Sequence, residues 1–290
     1  RLWCRSRLPR DLDQWLDQSV AHRNSDTGFF IRYGRDLGLD SIGRGHDAFI
    51  SFGTPYNADA DGSGELAPTF FGGDGRIPMD PDLISEDITC SYFEDDQAIR
   101  HPFDGQTVPC EFDTAGKKYS WAKAPRYDGR PAETGALADM LAIGDPLFVE
   151  QVETGGANVL IRELARLVRP VRLLPAIDRW LAEMTECKSP FYKHCTKAVS
   201  ARSYGLVPAP RGALGHWLTI ENGMISSYQV ITPTAWNASP RDSLGLRGPW
   251  EEAIVGTEIR DAAHPIEVEQ IVRSFDPCLV CTVHAINASH

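Results

Sequence analysis

No apolar run in this sequence approaches the roughly 20 residues of a membrane-spanning helix. Positive charge is in deficit, with 29 Lys and Arg against 40 Asp and Glu, for a net charge of −11. That balance argues against nucleic acid or an anionic membrane surface as a partner. Internal repeats and low-complexity stretches are absent. The 7 cysteines are an odd number and show no disulfide-scaffold spacing, so reduced thiols in a cytoplasmic setting are expected, with membrane association only through a partner. Cys4, Cys90, Cys110, Cys187 and Cys195 match no zinc pattern, and no second Cys-x-x-Cys exists. A complete four-cysteine zinc site is therefore not expected.

With 42% hydrophobic residues over 290 positions, the chain can bury a sizeable core. Residues 10–24 and 27–39 read as helices by their apolar period. Residues 46–130 are rich in Gly, Pro, Asp and Asn and read as loops, hairpins and a small sheet. Thr134 is expected to cap a helix running to about Ala142. Residues 155–184 form the most helical segment. There Leu160, Ile161, Leu164, Leu167 and Val168 fall on one expected buried face, and Pro170 and Pro175 should break or kink the helix. Residues 217–232 read as a hairpin with Asn222-Gly223 in a type I′ turn. Residues 250–255 and 265–274 are expected helices. The fold class that follows is α+β, predominantly α-helical, with helices packed around a buried site and a small sheet and hairpin portion.

The most informative stretch is Asp276-Pro277-Cys278-Leu279-Val280-Cys281-Thr282-Val283-His284, close to the last residue given. Asp276 suits a helix N-cap, and Pro277 suits the first helical position. Cys278, Cys281 and His284, spaced three apart, would then share one helix face. Thiols at a helix N-terminus are biased towards thiolate, the metal-binding form. Taken alone, the pattern also fits half of a structural zinc site, a redox pair or two buried core cysteines.

This stretch resembles the C-terminal signature of the large subunit of nickel–iron hydrogenases. Four further segments resemble the family in the same order. They are Gly43-Arg44-Gly45-His46 through Phe52-Gly53, Lys118 to Tyr127, Pro210-Arg211-Gly212-Ala213-Leu214-Gly215-His216-Trp217, and Tyr228 to Asn237. The region from Asn24 to Tyr33 looks most like uptake-type members. The family's N-terminal Arg-x-Cys-Gly-x-Cys motif is not found, and the chain opens on Arg1. Residues 1–290 are thus expected to be the C-terminal part of a longer large subunit, whose N-terminal part would carry the other cysteine pair.

The resemblance implies the following roles. Cys278 would be a terminal nickel ligand, and Cys281 would bridge nickel and iron. Soft thiolates suit both metals. The iron would carry CO and cyanide. Arg211 would donate to one cyanide, and Pro233 with Thr234 would face the other. Asp276 would pair with Arg211 and hold its orientation. His284 and the carbonyl near Val230 would bind a Mg-type ion (or iron), with Lys123 bonded to its waters. The activity would be heterolytic cleavage of dihydrogen, with the Cys278 thiolate and the Arg211 guanidine as candidate bases. No ligand set for an iron–sulfur cluster occurs in this chain, so an iron–sulfur small subunit is implied. A maturation protease would cut after His284, where Ala285-Ile286-Asn287-Ala288-Ser289-His290 remains. Two alternatives stay open. One is a non-catalytic fold relative, of the type of the quinone-site subunit of respiratory complex I. The other is a Cys-x-x-Cys zinc-binding module. In the absence of the family, His216 reads as a satisfied strand histidine, and His46 and His101 receive no role.

Overall fold

The computed structural model describes residues 11–55, 66–73, 75–94, 99–110, 116–186, 188–190, 192, 194 and 199–278. The architecture is α+β, with several helices and three separate three-stranded sheets. Three short helices open the described chain: α1 (Leu12–Asp17), α2 (Val20–Arg23) and α3 (Asp26–Asp36). The single helix expected over 10–24 is split. The Ser19 side chain accepts from the His22 backbone N–H and starts α2 afresh.

The first sheet joins β1 (Phe49–Ser51), β2 (Thr69–Gly72) and β3 (Gly75–Pro78), all antiparallel. The second places β4 (Ile84–Asp87) between β5 (Ile99–Arg100) and β6 (Ala124–Tyr127). Strand alternation lets the first sheet serve two cores. Phe49 and Phe71 face a helical core, while their neighbours Ile50 and Phe70 face a second core with Tyr127, Trp217 and Trp236.

Helices α4 (Ala136–Ala142), α5 (Pro146–Gly155) and α6 (Val159–Glu186) follow. Helix α5 was not anticipated; Asp145 caps it, and Pro146 occupies its first turn. Thr134 does not cap α4. Gly135 stands at that position, and the Thr134 hydroxyl is engaged elsewhere, accepting from the Ala213 N–H at 2.8 Å. Neither Pro170 nor Pro175 ends α6. Proline removes one ladder hydrogen bond, and the buried contacts of Val168, Arg172 and Ala176 span that loss. The expected apolar face is buried at Leu160, Ile161, Leu164 and Val168 but not at Leu167, which is 40% exposed. Helix α3 lies close on α6 because position 34 is glycine. A Cβ there would stand 2.5 Å from Leu160 Cδ1.

The third sheet is β7 (Ala201–Ala209), β8 (Gly212–Glu221) and β9 (Met224–Ile231). The expected Asn222-Gly223 turn is present, with φ of 53° and 75°, the signs a type I′ turn requires. Strand β7 was not expected; it is the outer partner of β8. Helices α7 (Pro233–Asn237), α8 (Pro249–Ile254) and α9 (Ile266–Ser274) complete the described fold.

Candidate functional site

Three chain segments deliver the side chains singled out in the sequence. Arg211 sits at the tip of the β7–β8 hairpin, in the two-residue turn between the paired Ala209 and Gly212. Thr234 lies in the first turn of α7, which Thr232 caps and Pro233 opens. Asp276 and Cys278 follow α9. Asp276 is not an N-cap: its φ is +54°, and its N–H donates to the Arg273 carbonyl at 3.0 Å. It therefore closes α9 in the left-handed conformation that short polar side chains tolerate.

These segments meet. The Arg211 Nε lies 3.7 Å from Asp276 Oδ1. The Cys278 N–H donates to the Thr234 hydroxyl oxygen at 3.1 Å. Because that oxygen accepts, the Thr234 O–H proton remains available to donate. Thr234 is buried, whereas the Arg211 side chain is 45% exposed. A small cavity of about 20 Å³ lies between Arg211, Asp276, Arg166 and Glu133. That volume holds about one water-sized group.

A row of arginines on α6 carries this arrangement. Arg162 makes a two-toothed contact with Glu133, at 2.8 and 2.9 Å, and donates to the Gly43 carbonyl. Its guanidinium also covers the Phe275 ring at 4.0 Å. Arg166 donates to the Arg273 carbonyl at 3.2 Å and stands 3.9 Å from Asp276. It also pairs with Glu163, whose carboxyl is pushed up by burial against the pull of Arg166. Arg169 donates to the carbonyls of Pro210 and Ala209 and lies 3.2 Å from Asp139. The Asp139 contact is within ion-pair range but lacks hydrogen-bond alignment. Burial raises the Asp139 carboxyl to about 6, with Arg169 and the Ser51 hydroxyl opposing. Arg172 pairs with Asp145 at 2.7 Å.

A buried amide closes the circuit between hairpin and helix. Asn237 accepts from the Thr134 N–H and donates to the Thr134 carbonyl, both at 2.9 Å. Thr134 in turn holds the Ala213 N–H, two residues beyond Arg211. Helix α7, which carries Thr234, and the hairpin, which carries Arg211, are thus fixed to one backbone segment.

The remaining sequence-derived residues fall elsewhere. Val230 is on β9, paired with His216. Lys123 is not a solvated lysine. Its ammonium lies 3.1 Å from Gln229 Oε1 and 3.5 Å from Glu86, with little exposure. Burial raises the Glu86 carboxyl, and Lys123 opposes that shift. His216 hydrogen-bonds the Tyr228 hydroxyl at 2.6 Å, as a satisfied strand histidine should. His46 contacts the Arg247 carbonyl at 2.8 Å, and His101 Nδ1 accepts from the Phe103 N–H. Cys281, His284 and residues 285–290 lie outside the described residues. Among the described residues, no three His, Cys, Asp or Glu side chains gather as a metal site.

The sequence profile of the nickel-dependent hydrogenases matches residues 38–284. The chain belongs to that family. It is 32% identical over 255 residues to the quinone-reactive Ni/Fe-hydrogenase large chain of Wolinella succinogenes, covering 72% of this chain and 42% of that one. It is 33% identical over 245 residues to the hydrogenase-1 large chain of Escherichia coli K12, covering 72% and 41%. The uptake hydrogenase large subunit of Azotobacter chroococcum is 32% identical over 296 residues, covering 84% and 49%. This chain of the hydrogenase family therefore spans less than half the length of these relatives. Among solved structures, the reduced Ni-Fe-Se hydrogenase of Desulfomicrobium baculatum superposes with a TM-score of 0.76 at 30% identity, covering 90% of this chain and 57% of that one. That of D. vulgaris Hildenborough gives 0.77 at 28%, covering 90% and 58%.

Several residues at the site of this hydrogenase-family chain escaped the sequence reading: Glu133, Arg162, Arg166, Arg169 and Asn237. One signal was present. Arg162, Arg166, Arg169 and Arg172 recur at helical spacing alongside apolar positions. Arginines on a face that packs inward need partners.

Proposed function

We propose that residues 1–290 are the C-terminal part of the large, catalytic subunit of a nickel–iron hydrogenase. The reaction is the reversible heterolytic cleavage of dihydrogen, with electrons passed to an iron–sulfur small subunit. One observation carries this reading: three separate segments meet, Arg211 against Asp276 and the Cys278 N–H on the Thr234 hydroxyl oxygen. The donor chemistry fits the implied centre. A guanidinium fork and a hydroxyl proton are what cyanide ligands accept from, and a Cys thiolate is what nickel takes.

In this reading Cys278 and Cys281 would supply thiolates to the nickel and iron. Arg211 and Thr234, with Pro233, hold the CO and cyanide face. His284 and the Val230 carbonyl hold a Mg-type ion or a further iron. Lys123, Glu86 and Gln229, the neighbour of Val230, support a polar surrounding for that ion. When bound, the nickel–iron centre supplies the Lewis-acidic position at which dihydrogen is polarised. The chain's own residues place and shield that position and take up the proton at Cys278 Sγ. The Cys278 sulfur is disulfide-bonded in this structure, and both ligand and base roles need the reduced thiolate. Arg211 orients; a guanidinium is in general a poor base.

The other two nickel thiolates belong to an N-terminal part of the subunit, and the relatives' greater length supports that assignment. Exposed apolar side chains on α6 and the third sheet, among them Leu181, Met184, Met224 and Ile225, support a place within a larger assembly. Helices of that assembly would predominate around the buried metal site. The setting is cytoplasmic, or at a membrane through a partner. Among the described residues no helix is long and apolar enough to cross a membrane. A maturation protease would remove Ala285 to His290.

The test is elemental analysis and infrared spectroscopy of the protein purified with its native partners. Nickel, iron, and CO and cyanide stretches are expected. In the same preparation, Cys281→Ser should abolish hydrogen oxidation while the far-ultraviolet circular dichroism is retained. Zinc alone, or hydrogen oxidation by Cys281→Ser, overturns the proposal.

A further inference from the structure

We propose that Arg169 of α6 is a positioning residue for Arg211, fixing the hairpin tip from which the Arg211 side chain projects. This rests on the hydrogenase reading above and adds to it a residue that touches neither metal nor dihydrogen.

The geometry is specific to the tip. Among the described residues Arg211 has one long ionic contact, 3.7 Å to Asp276, so its guanidinium goes where its backbone sends it. That backbone is a two-residue turn, and such a turn alone does not fix a tip against the rest of the fold. Arg169 does. Its Nη1 donates to the Pro210 carbonyl at 2.6 Å and its Nη2 to the Ala209 carbonyl at 3.2 Å. These are the two peptide groups immediately before Arg211. On the other side of the turn the Ala213 N–H is held by Thr134 at 2.8 Å. Gly212, at φ +125°, sits against Thr134 so closely that a Cβ would fall 2.5 Å from its hydroxyl oxygen. The tip is therefore gripped from both flanks.

Arg169 is itself well seated. Its side chain is 17% exposed, and it rests beside Asp139, whose other oxygen accepts from the Ser51 hydroxyl at 2.8 Å. A planar fork suits two adjacent carbonyls, and an ammonium does not. The chain from Ser51 through Asp139 and Arg169 to Pro210 thus ties β1, α4 and α6 to the tip. Catalysis is sensitive to such placement, since a shift of about 1 Å in a positioned group costs on the order of 100-fold.

The experiment uses the complete enzyme, large subunit with small subunit, carrying Arg169→Gln, Arg169→Lys, Arg211→Lys, and Arg169→Gln with Arg211→Lys. For Arg169→Gln we expect wild-type nickel and iron content, a shifted cyanide stretch, and kcat lower by roughly 10- to 100-fold with KM for dihydrogen near wild type. Arg169→Lys should recover part of the loss. The double variant should lose no more than Arg211→Lys alone, because both changes act through one guanidinium. Wild-type cyanide bands and kcat in Arg169→Gln, or losses that multiply in the double variant, would remove Arg169 from this role. If Arg169→Gln does not assemble, Arg169→Lys carries the same comparison. Failure of the hydrogenase reading shows differently: the wild-type enzyme itself would lack CO and cyanide bands, and both assignments would fall together.

Discussion

The two ends of helix α6 share an amphipathic sequence and differ in almost everything else. From Val159 to Arg172 one face of the helix is walled in. Leu164 and Ala165 have no exposure, and each arginine on the inner face has a carboxylate or carbonyl partner. Beyond Ala176 the same pattern meets no cover among the described residues, with Leu181 56% and Met184 68% exposed. The third sheet repeats the contrast. Trp217 and Ile231 are buried near the site, while Met224 and Ile225 at the far turn are 71% and 63% exposed. Periodicity states which residues share a face. What that face meets is decided by the neighbours, and in this chain they gather at the end that holds Arg211 and Asp276.

Breaking the buried end should cost most. Arg162→Met leaves the Glu133 carboxylate without its partner, and removing one member of a buried pair costs about 3–5 kcal/mol. Urea unfolding should show this as a lower midpoint at unchanged slope. A loss within the range of an exposed pair would mean that the site end is no more tightly held than the far end.

The pH dependence comes next. Burial raises the folded Asp139 carboxyl from 3.8 to about 6, so the folded state binds the proton more tightly than the unfolded chain. The stability from this group is fully present below pH 3.8 and is lost as pH rises through about 6, by roughly 3 kcal/mol in all. Asp139→Asn should flatten the stability curve over that interval. An unchanged slope in the variant would assign the titration to another group.

The exposed end should respond least. Arg179 and Glu183 form an i,i+4 pair at 3.7 Å with the glutamate 65% exposed. Glu183→Ala is expected to cost about 0.3–0.5 kcal/mol. A loss of several kcal/mol would show that this end is covered in the molecule as it exists in solution, and the contrast would dissolve.

Much of the architecture was legible because local chemistry and fold agree. Asn222-Gly223 made its turn, α3 and α9 lie where their apolar periods put them, and Arg211 meets Asp276 as the resemblance implied. The misses have physical causes. Ser19 competes for a backbone N–H and splits a helix. Pro208 hides β7 from a strand reading, although an outer strand tolerates proline. Asp276 has the residue type of an N-cap, but its position after α9 makes it that helix's end instead. The support of the site was least visible, because Arg169, Thr134 and Asn237 act on backbone groups far away in sequence.

The arginine row on α6 has one further consequence. A row with the helix's own period cannot set the axial register of that helix. A slide of one turn, about 5.4 Å, would bring Arg166 towards Glu133, the acid that serves Arg162. The missing side chain at Gly34 breaks the degeneracy. Leu160 comes closest to that notch, and a helix slid by one turn would carry Leu160 away from it. The charges choose which way α6 faces, and a single hole matched to a single methyl group chooses how far along it stops.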